Sequence, residues 1–165
     1  MGPDETLAQL VTTSGDRLLR LAYQLTHDRA AAEDVVQEAL MNIHRSWRRR
    51  LPEIENVEAY ARRAVVNEYL RRKRLHASSE IVTERVPETG RASAEQTIVD
   101  RDELWRALGA LPARQRAVLV LRYYEDLPDH RIAELVDAKE ATVRSLASRA
   151  LIALRSPRSQ LRSTP

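Results

Sequence analysis

The stretch Thr142 to Arg149 reads Thr-Val-Arg-Ser-Leu-Ala-Ser-Arg, a set of residue types suited to contact with nucleic acid. Wound as a helix at about 100° per residue, Val143, Leu146, Ala147, Ala150, Leu151 and Leu154 fall on one apolar arc while Ser145 and Ser148 point the other way. Arg144 and Arg149 flank the two serines. Arginine holds a guanine edge through two hydrogen bonds, and small hydroxylated residues let a helix settle deep in a major groove. From Ala141 onward Arg144, Arg149, Arg155, Arg158 and Arg162 occur with no acidic residue among them, so attraction to phosphate accompanies the reading face.

Other chemistries lack their residues. There is no cysteine, which removes disulfide scaffolds, thiolate zinc sites and thiol catalysis and suits a reducing cytoplasm. His27, His44, His76 and His130 have no Glu-x-x-His or His-Glu-x-x-His partner, so neither a metal site nor a catalytic residue is expected. Four glycines leave no phosphate-binding loop, and no cofactor is implied. No apolar run is longer than the five residues of Ala117 to Leu121, far short of the ~20 residues of a bilayer span, and no signal segment is expected at the start of the chain. A soluble, cytoplasmic protein without catalytic activity of its own is therefore expected.

The Ser/Arg helix needs a partner to aim it. Helices over Pro128 to Val136 and Glu140 to Arg155 have helix-turn-helix spacing, with small Ala133 at the crossing, Asp137 in the turn and Val143 packing back. Asp tolerates the left-handed conformation that such a turn requires, and Ile132, Val136 and Leu146 complete the apolar set. Upstream, further helices are expected over Ala94 to Ala110, opened by a Ser93/Gln96 capping box, and over Pro112 to Tyr124.

The first half is also helical by periodicity, with no convincing strand, so the fold is all-α. A weak helix over Glu5 to Thr12 precedes a stronger one over Asp16 to Leu25, and Asp28 is placed to cap the next. That helix, Ala30 to Arg49, puts Ala32, Val35, Val36, Ala39, Leu40, Ile43 and Trp47 within an arc of roughly 140°, with Asp34, Gln37, Glu38 and Met41 opposite. Asn56 caps a helix from Val57 to about Leu75, whose apolar residues lie on more than one side. It ends in Arg71, Arg72, Lys73 and Arg74, four consecutive charges that cannot share one solvated face.

Between Ala77 and Ala92 the periodicity vanishes and Ser, Thr, Glu, Pro and Gly accumulate, as in a flexible acidic linker. Two small helical domains follow, 1–76 and 94–165, joined by a linker over 77–93. The net charge of +3 conceals an alternation. Basic residues stand three against seven acidic in 1–44, ten against four in 45–76, three against seven in 77–104 and eleven against six in 105–165. Two basic zones are separated by an acidic one, an alternation aligned with the domain structure.

These motifs, in this order, resemble the extracytoplasmic-function (ECF) group of the sigma-70 family of RNA polymerase sigma factors. The resemblance rests on Ala32-Glu33-Asp34-Val35-Val36-Gln37-Glu38 with Trp47, on Tyr60 through Asn67 with its basic run, on Leu111-Pro112-Ala113-Arg114-Gln115-Arg116, on Val118 to Tyr123, and on Thr142-Val143-Arg144-Ser145 with Arg149-Ala150. It implies a region 2 bundle followed by a region 4 helix-turn-helix. It also implies core polymerase as a partner, docked through the beta-prime clamp helices on Asp34, Gln37, Glu38 and Met41 and through the beta flap. Promoter DNA is the second implied partner. Thr142, Arg144, Ser145, Ser148 and Arg149 match readers of the −35 element. Asn56, Tyr60, Arg63, Asn67, Arg71 and Arg74 match the surface that meets the melted −10 element, with the turn Leu51 to Asn56 in place of the base-capturing loop. An anti-sigma factor is a further partner the family admits. The chain departs from the pattern at Tyr60-Ala61, where an aromatic-Leu pair is common, and at Ala141, commonly Gly. A stand-alone helix-turn-helix regulator is the alternative, and it leaves the first domain without a purpose.

Overall fold

The computed structural model describes residues 2–50, 56–79 and 101–155, apart from the side chains of Pro3, Trp47, Arg48, Arg50, Ser78 and Ser79. The expected capture turn at Leu51 to Glu55, most of the linker and the Ser93/Gln96 capping box lie outside the described residues. The elements are α1 (Pro3–Thr26), α2 (Arg29–Arg50), α3 (Val57–Ser79), α4 (Arg101–Ala110), α5 (Ala113–Leu119), α6 (Asp129–Val136) and α7 (Glu140–Arg155). The chain divides into two compact units, Met1–Ser78 and Ser79–Pro165. Each has its own apolar core.

In the first unit α1 is one helix, not the two that the Thr12-Thr13-Ser14-Gly15 interruption suggests. The reason is a stripe that runs through the interruption: Leu10, Ser14, Leu18, Leu21, Ala22 and Leu25 are all buried. Burying such side chains is worth about 1.5–3 kcal/mol each, more than the roughly 1 kcal/mol that a helical glycine costs. Thr12 and Thr13 turn their hydroxyls back onto the Ala8 and Gln9 carbonyls, both at 2.8 Å, and so stay within the helix. A side chain at Gly15 would meet only Val11 Cγ1 at 3.7 Å, so nothing there demands glycine.

Both expected caps form. The Ala31 amide donates to Asp28 Oδ1 at 3.0 Å, and the Ala59 amide to Asn56 Oδ1 at 3.0 Å. The α2 stripe is buried at Ala32, Val35, Val36, Ala39 and Ile43, whereas Leu40, expected with them, is half-buried. α3 buries Ala61, Val65, Val66, Glu68 and Tyr69, which settles the face that periodicity left open. Polar contacts also tie it to its neighbours: Arg17 Nη1 donates to Glu58 Oε1 at 2.9 Å, the Tyr60 hydroxyl is 3.3 Å from Ser46 Oγ, and Arg72 Nη2 donates to the Asp34 carbonyl at 3.4 Å.

In the second unit Val118, Leu121, Ile132 and Val143 are fully buried, and Ala117, Ala133, Ala147 and Ala150 keep the helices close where they cross. Leu146, Leu151 and Leu154 were expected wholly inward and are half-buried. Pro112 and Pro128 cap α5 and α6 from the position before the first turn, one residue outside their expected places. The helix expected through to Tyr124 widens after Leu119 into a π-helical turn, Val120–Tyr124. The Glu125 amide reaches the Val120 carbonyl at 3.1 Å and the Leu127 amide the Leu121 carbonyl at 3.0 Å, with Asp126 left-handed at φ 56°. The widened ring turns Tyr123 outward, 63% exposed, while Leu121 stays in the core.

Candidate nucleic-acid interface and partner face

The turn between α6 and α7 is built as its spacing predicts. Asp137 ends α6 at φ 53°, ψ 56°, the left-handed region, and the Ala138 amide donates to the Ala133 carbonyl at 3.0 Å. The Val143 amide then closes the first turn of α7 on the Lys139 carbonyl at 3.0 Å. With Val143, Ala147 and Ala150 locked inward, Thr142, Arg144, Ser145, Ser148 and Arg149 are all exposed. Arg144 Nη1 lies 3.8 Å from Glu140 Oε2, both side chains exposed, a pair weak enough to part when a stronger acceptor arrives.

Two charged groups missed by sequence reasoning hold this helix-turn-helix in place. Arg116 is buried, and its guanidinium donates to the Leu108 carbonyl at 2.9 Å, the Leu111 carbonyl at 3.1 Å and the Gly109 carbonyl. It thereby caps the C-terminal end of α4, where carbonyl dipoles favour a cation. Arg122, from the π-helical turn, donates through Nε to Asp129 Oδ1 at 3.1 Å at the start of α6. The hydrogen bond that Arg122 donates to Asp129 raises the Arg122 pKa above its ordinary value, against a smaller opposing effect of burial. In sequence Arg116 follows Arg114 and Gln115 and reads as one more polar residue; its signal was a position one helical turn before Val120, immediately ahead of the apolar run Ala117 to Leu121.

On α3, Tyr60, Arg63, Asn67, Arg71 and Arg74 fall within an arc of about 80°, opposite the buried face. Arg63, Asn67, Arg71 and Arg74 are exposed, whereas Tyr60 is half-buried toward Ser46. Asn56 spends its side-chain oxygen on the helix cap. Across α2, Asp34, Gln37 and Met41 are exposed and Glu38 is half-buried, 3.6 Å from Arg45 Nη1. Met41, 50% exposed, is an apolar side chain that the fold itself does not use.

Between these two faces is Glu68, an acid the sequence reading passed over. Its side chain is 2% exposed. Arg71 donates to both carboxylate oxygens, Nε to Oε2 at 2.9 Å and Nη2 to Oε1 at 2.8 Å, and Arg72 Nε donates to Oε1 at 2.8 Å. The spacing of Glu68 to Arg71 and Arg72, three and four residues on, was the available signal. The Arg71 hydrogen bond is the largest influence and holds the Glu68 pKa below the usual carboxylate range, against the opposing effect of burial and with further help from Arg72. A depressed pKa contributes stability that is complete above the unfolded value, roughly pH 4, and disappears as pH falls through the lower folded value. In thermal melts near neutral pH, Glu68→Gln therefore lowers the midpoint of the first unit, and the gap from the unmodified chain closes below about pH 4. A gap that widened on acidification would contradict this assignment. Among the described residues no group of acidic and histidine side chains could hold a metal ion.

Comparison with known proteins places both units. Residues 10–78 match the family model described as sigma-70 region 2, and residues 101–154 match sigma-70, region 4. The chain is 32% identical over 155 residues to the RNA polymerase sigma-E factor of Streptomyces coelicolor, covering 94% of this chain and 87% of that protein. It is 31% identical to the ECF RNA polymerase sigma factor SigL of Mycobacterium tuberculosis, covering 84% and 80%. Among solved structures it shares its fold with the sigma factor RpoE of Bartonella quintana, crystallised with the anti-sigma factor NepR. That match has TM-score 0.65, 22% identity, and coverage of 98% of this chain and 99% of the other. CnrH, solved with the cytosolic domain of CnrY, has TM-score 0.59 and 17% identity, over 98% and 91%.

Proposed function

We propose, for a chain that belongs to the sigma-70 family and is an ECF-type RNA polymerase sigma factor, a division of labour among the three exposed faces just described. The α2 face of Asp34, Gln37, Glu38 and Met41 docks on the clamp helices of core polymerase, and the second unit meets the beta flap. The α7 face of Thr142, Arg144, Ser145, Ser148 and Arg149 reads the −35 element in the major groove. The α3 stripe of Arg63, Asn67, Arg71 and Arg74, with Asn56 and Tyr60 at its start, meets the melted −10 element. Thermally opened bases are trapped there, so initiation needs no hydrolysis and no catalytic group from this chain.

The observation that supports this reading over a stand-alone helix-turn-helix regulator is the α3 stripe. It is a second nucleic-acid surface, opposite its own core, in the same chain as the α7 face. Such a factor works in the cytoplasm, at the nucleoid when bound to polymerase. No helix among the described residues is long and apolar enough to cross a membrane. The RpoE structure, solved with the anti-sigma factor NepR, supports an anti-sigma factor as a partner here too.

Run-off transcription with purified core polymerase tests the reading. Adding the chain starts transcripts at discrete promoters, which a stand-alone regulator cannot do. Asp34→Ala with Gln37→Ala weakens binding to core by about tenfold, which is about 1.4 kcal/mol, measured by titration against labelled core. Absence of promoter-directed RNA would sink the proposal, and undiminished core affinity in the double variant would remove the α2 face from it.

A further inference from the structure

The arginines at the end of α3 do not stand free before DNA arrives. Glu68, on the same helix and almost wholly buried, grips both oxygens' worth of the Arg71 fork and the Nε of Arg72. Arg72 Nη2 also approaches the Asp34 carbonyl of α2 at 3.4 Å. The Arg71 side chain is nevertheless 51% exposed, on the stripe that carries Arg63, Asn67 and Arg74. Its fork is held by Nε and Nη2, which leaves Nη1 for an acceptor outside the protein.

A buried ion cluster is a weak device for stability, because apolar residues of similar volume in place of the whole cluster do as well or better. What an apolar residue cannot do is hold two guanidinium groups in chosen rotamers. Arg side chains are among the most flexible, and ordering them only on binding weakens the complex. One carboxylate against two guanidinium groups also leaves a single net positive charge, so the cluster keeps two forks in position while attracting phosphate as one charge.

We infer that Glu68 is a positioning residue for promoter recognition: braced by Arg72 on its α2 side, it holds Arg71 in the conformation in which the α3 stripe meets −10 DNA, and it trims the pull of the cluster on DNA of any sequence. The inference rests on the reading of α3 given above. It separates Glu68 from a residue that merely stabilises the unit, because removing its charge lowers specific binding relative to non-specific binding without weakening the latter.

The test uses holoenzyme reconstituted from core and the full chain, unmodified or carrying Glu68→Gln, Glu68→Met or Glu68→Asp. The probes are a forked fragment with an unpaired −10 strand, from a promoter found by sequencing run-off transcripts, and the same fragment with that strand scrambled. Both are titrated at several salt concentrations. Glu68→Gln and Glu68→Met lower the ratio of promoter to scrambled affinity about tenfold. They leave the scrambled affinity equal or higher, with a salt slope steeper by about 0.7–0.9 for each added phosphate contact. Core affinity is unchanged, and Glu68→Asp restores part of the ratio. An unchanged ratio overturns the inference, as does a parallel fall in both affinities. Failure of both the Gln and the Met variants to fold assigns Glu68 to stability and equally overturns it. An unmodified holoenzyme with no preference for any forked promoter fragment overturns the function of α3 itself, an outcome visible before any variant is measured.

Discussion

Arg149→Ala and Arg144→Ala each lower transcription from the cognate promoter by about tenfold or more while leaving affinity for core polymerase intact. A bidentate arginine contact with a guanine is worth about 1–3 kcal/mol of discrimination, and each 1.4 kcal/mol is a factor of ten. Both side chains are exposed on α7, and neither contributes to the buried set of Val143, Ala147 and Ala150, so the helix survives their loss. The readout is run-off transcription beside titration of labelled core. Promoters altered at the base pair that each arginine reads lose their advantage over the original in the matching variant. Loss of core affinity equal to the loss of transcription would reassign α7 from DNA to polymerase.

Arg116→Ala has the largest expected effect on stability. The change leaves the Leu108, Gly109 and Leu111 carbonyls without their buried donor and opens a space where the guanidinium lay. Hydrogen bonds to charged groups are worth about 1.5–3 kcal/mol each in net terms, and a vacated buried site adds its own penalty. A loss of about 3 kcal/mol from the second unit follows. That is a large share of the roughly 5–15 kcal/mol that typically holds a domain together. In denaturant titration the midpoint of the second unit falls while that of the first does not move. Arg116→Lys recovers little, since a single ammonium on a longer stem cannot span three carbonyls as a planar fork does. A midpoint within about 0.5 kcal/mol of the unmodified chain would show that water replaces the guanidinium at no loss.

What could be read from sequence followed from how local the determining physics was. The α6–α7 turn was legible because its cause is local: Asp137 for a left-handed residue, Ala133 for close approach, Val143 for the return contact. The caps at Asp28 and Asn56 were legible for the same reason. The continuity of α1 was not, because Thr-Thr-Ser-Gly looks like a break until the burial of Leu10, Ser14 and Leu18 along one stripe is known. Nor was the buried face of α3, whose core includes an ionised Glu68 where an apolar residue would have completed the pattern. Of the candidate site, the α7 and α2 faces followed from helical angles alone. The supporting charges Glu68, Arg116, Arg122 and Asp129 did not, because burial of a charge is decided by partners rather than by residue type. The widening after Leu119 has no sequence cue that we can name.

Among the described residues three hold positive φ, His27, Asp126 and Asp137, none of them glycine. Glycine in their place would relieve local strain of the order of 1 kcal/mol, yet it would also enlarge the unfolded ensemble by a comparable amount. The two changes nearly cancel. Stability is then nearly indifferent to which of glycine, aspartate or histidine takes these left-handed positions. The aspartate at position 137 stands in the turn just before α7, the helix proposed above to read the −35 element. Its replacement by glycine would be silent in a melting curve and audible only in promoter choice.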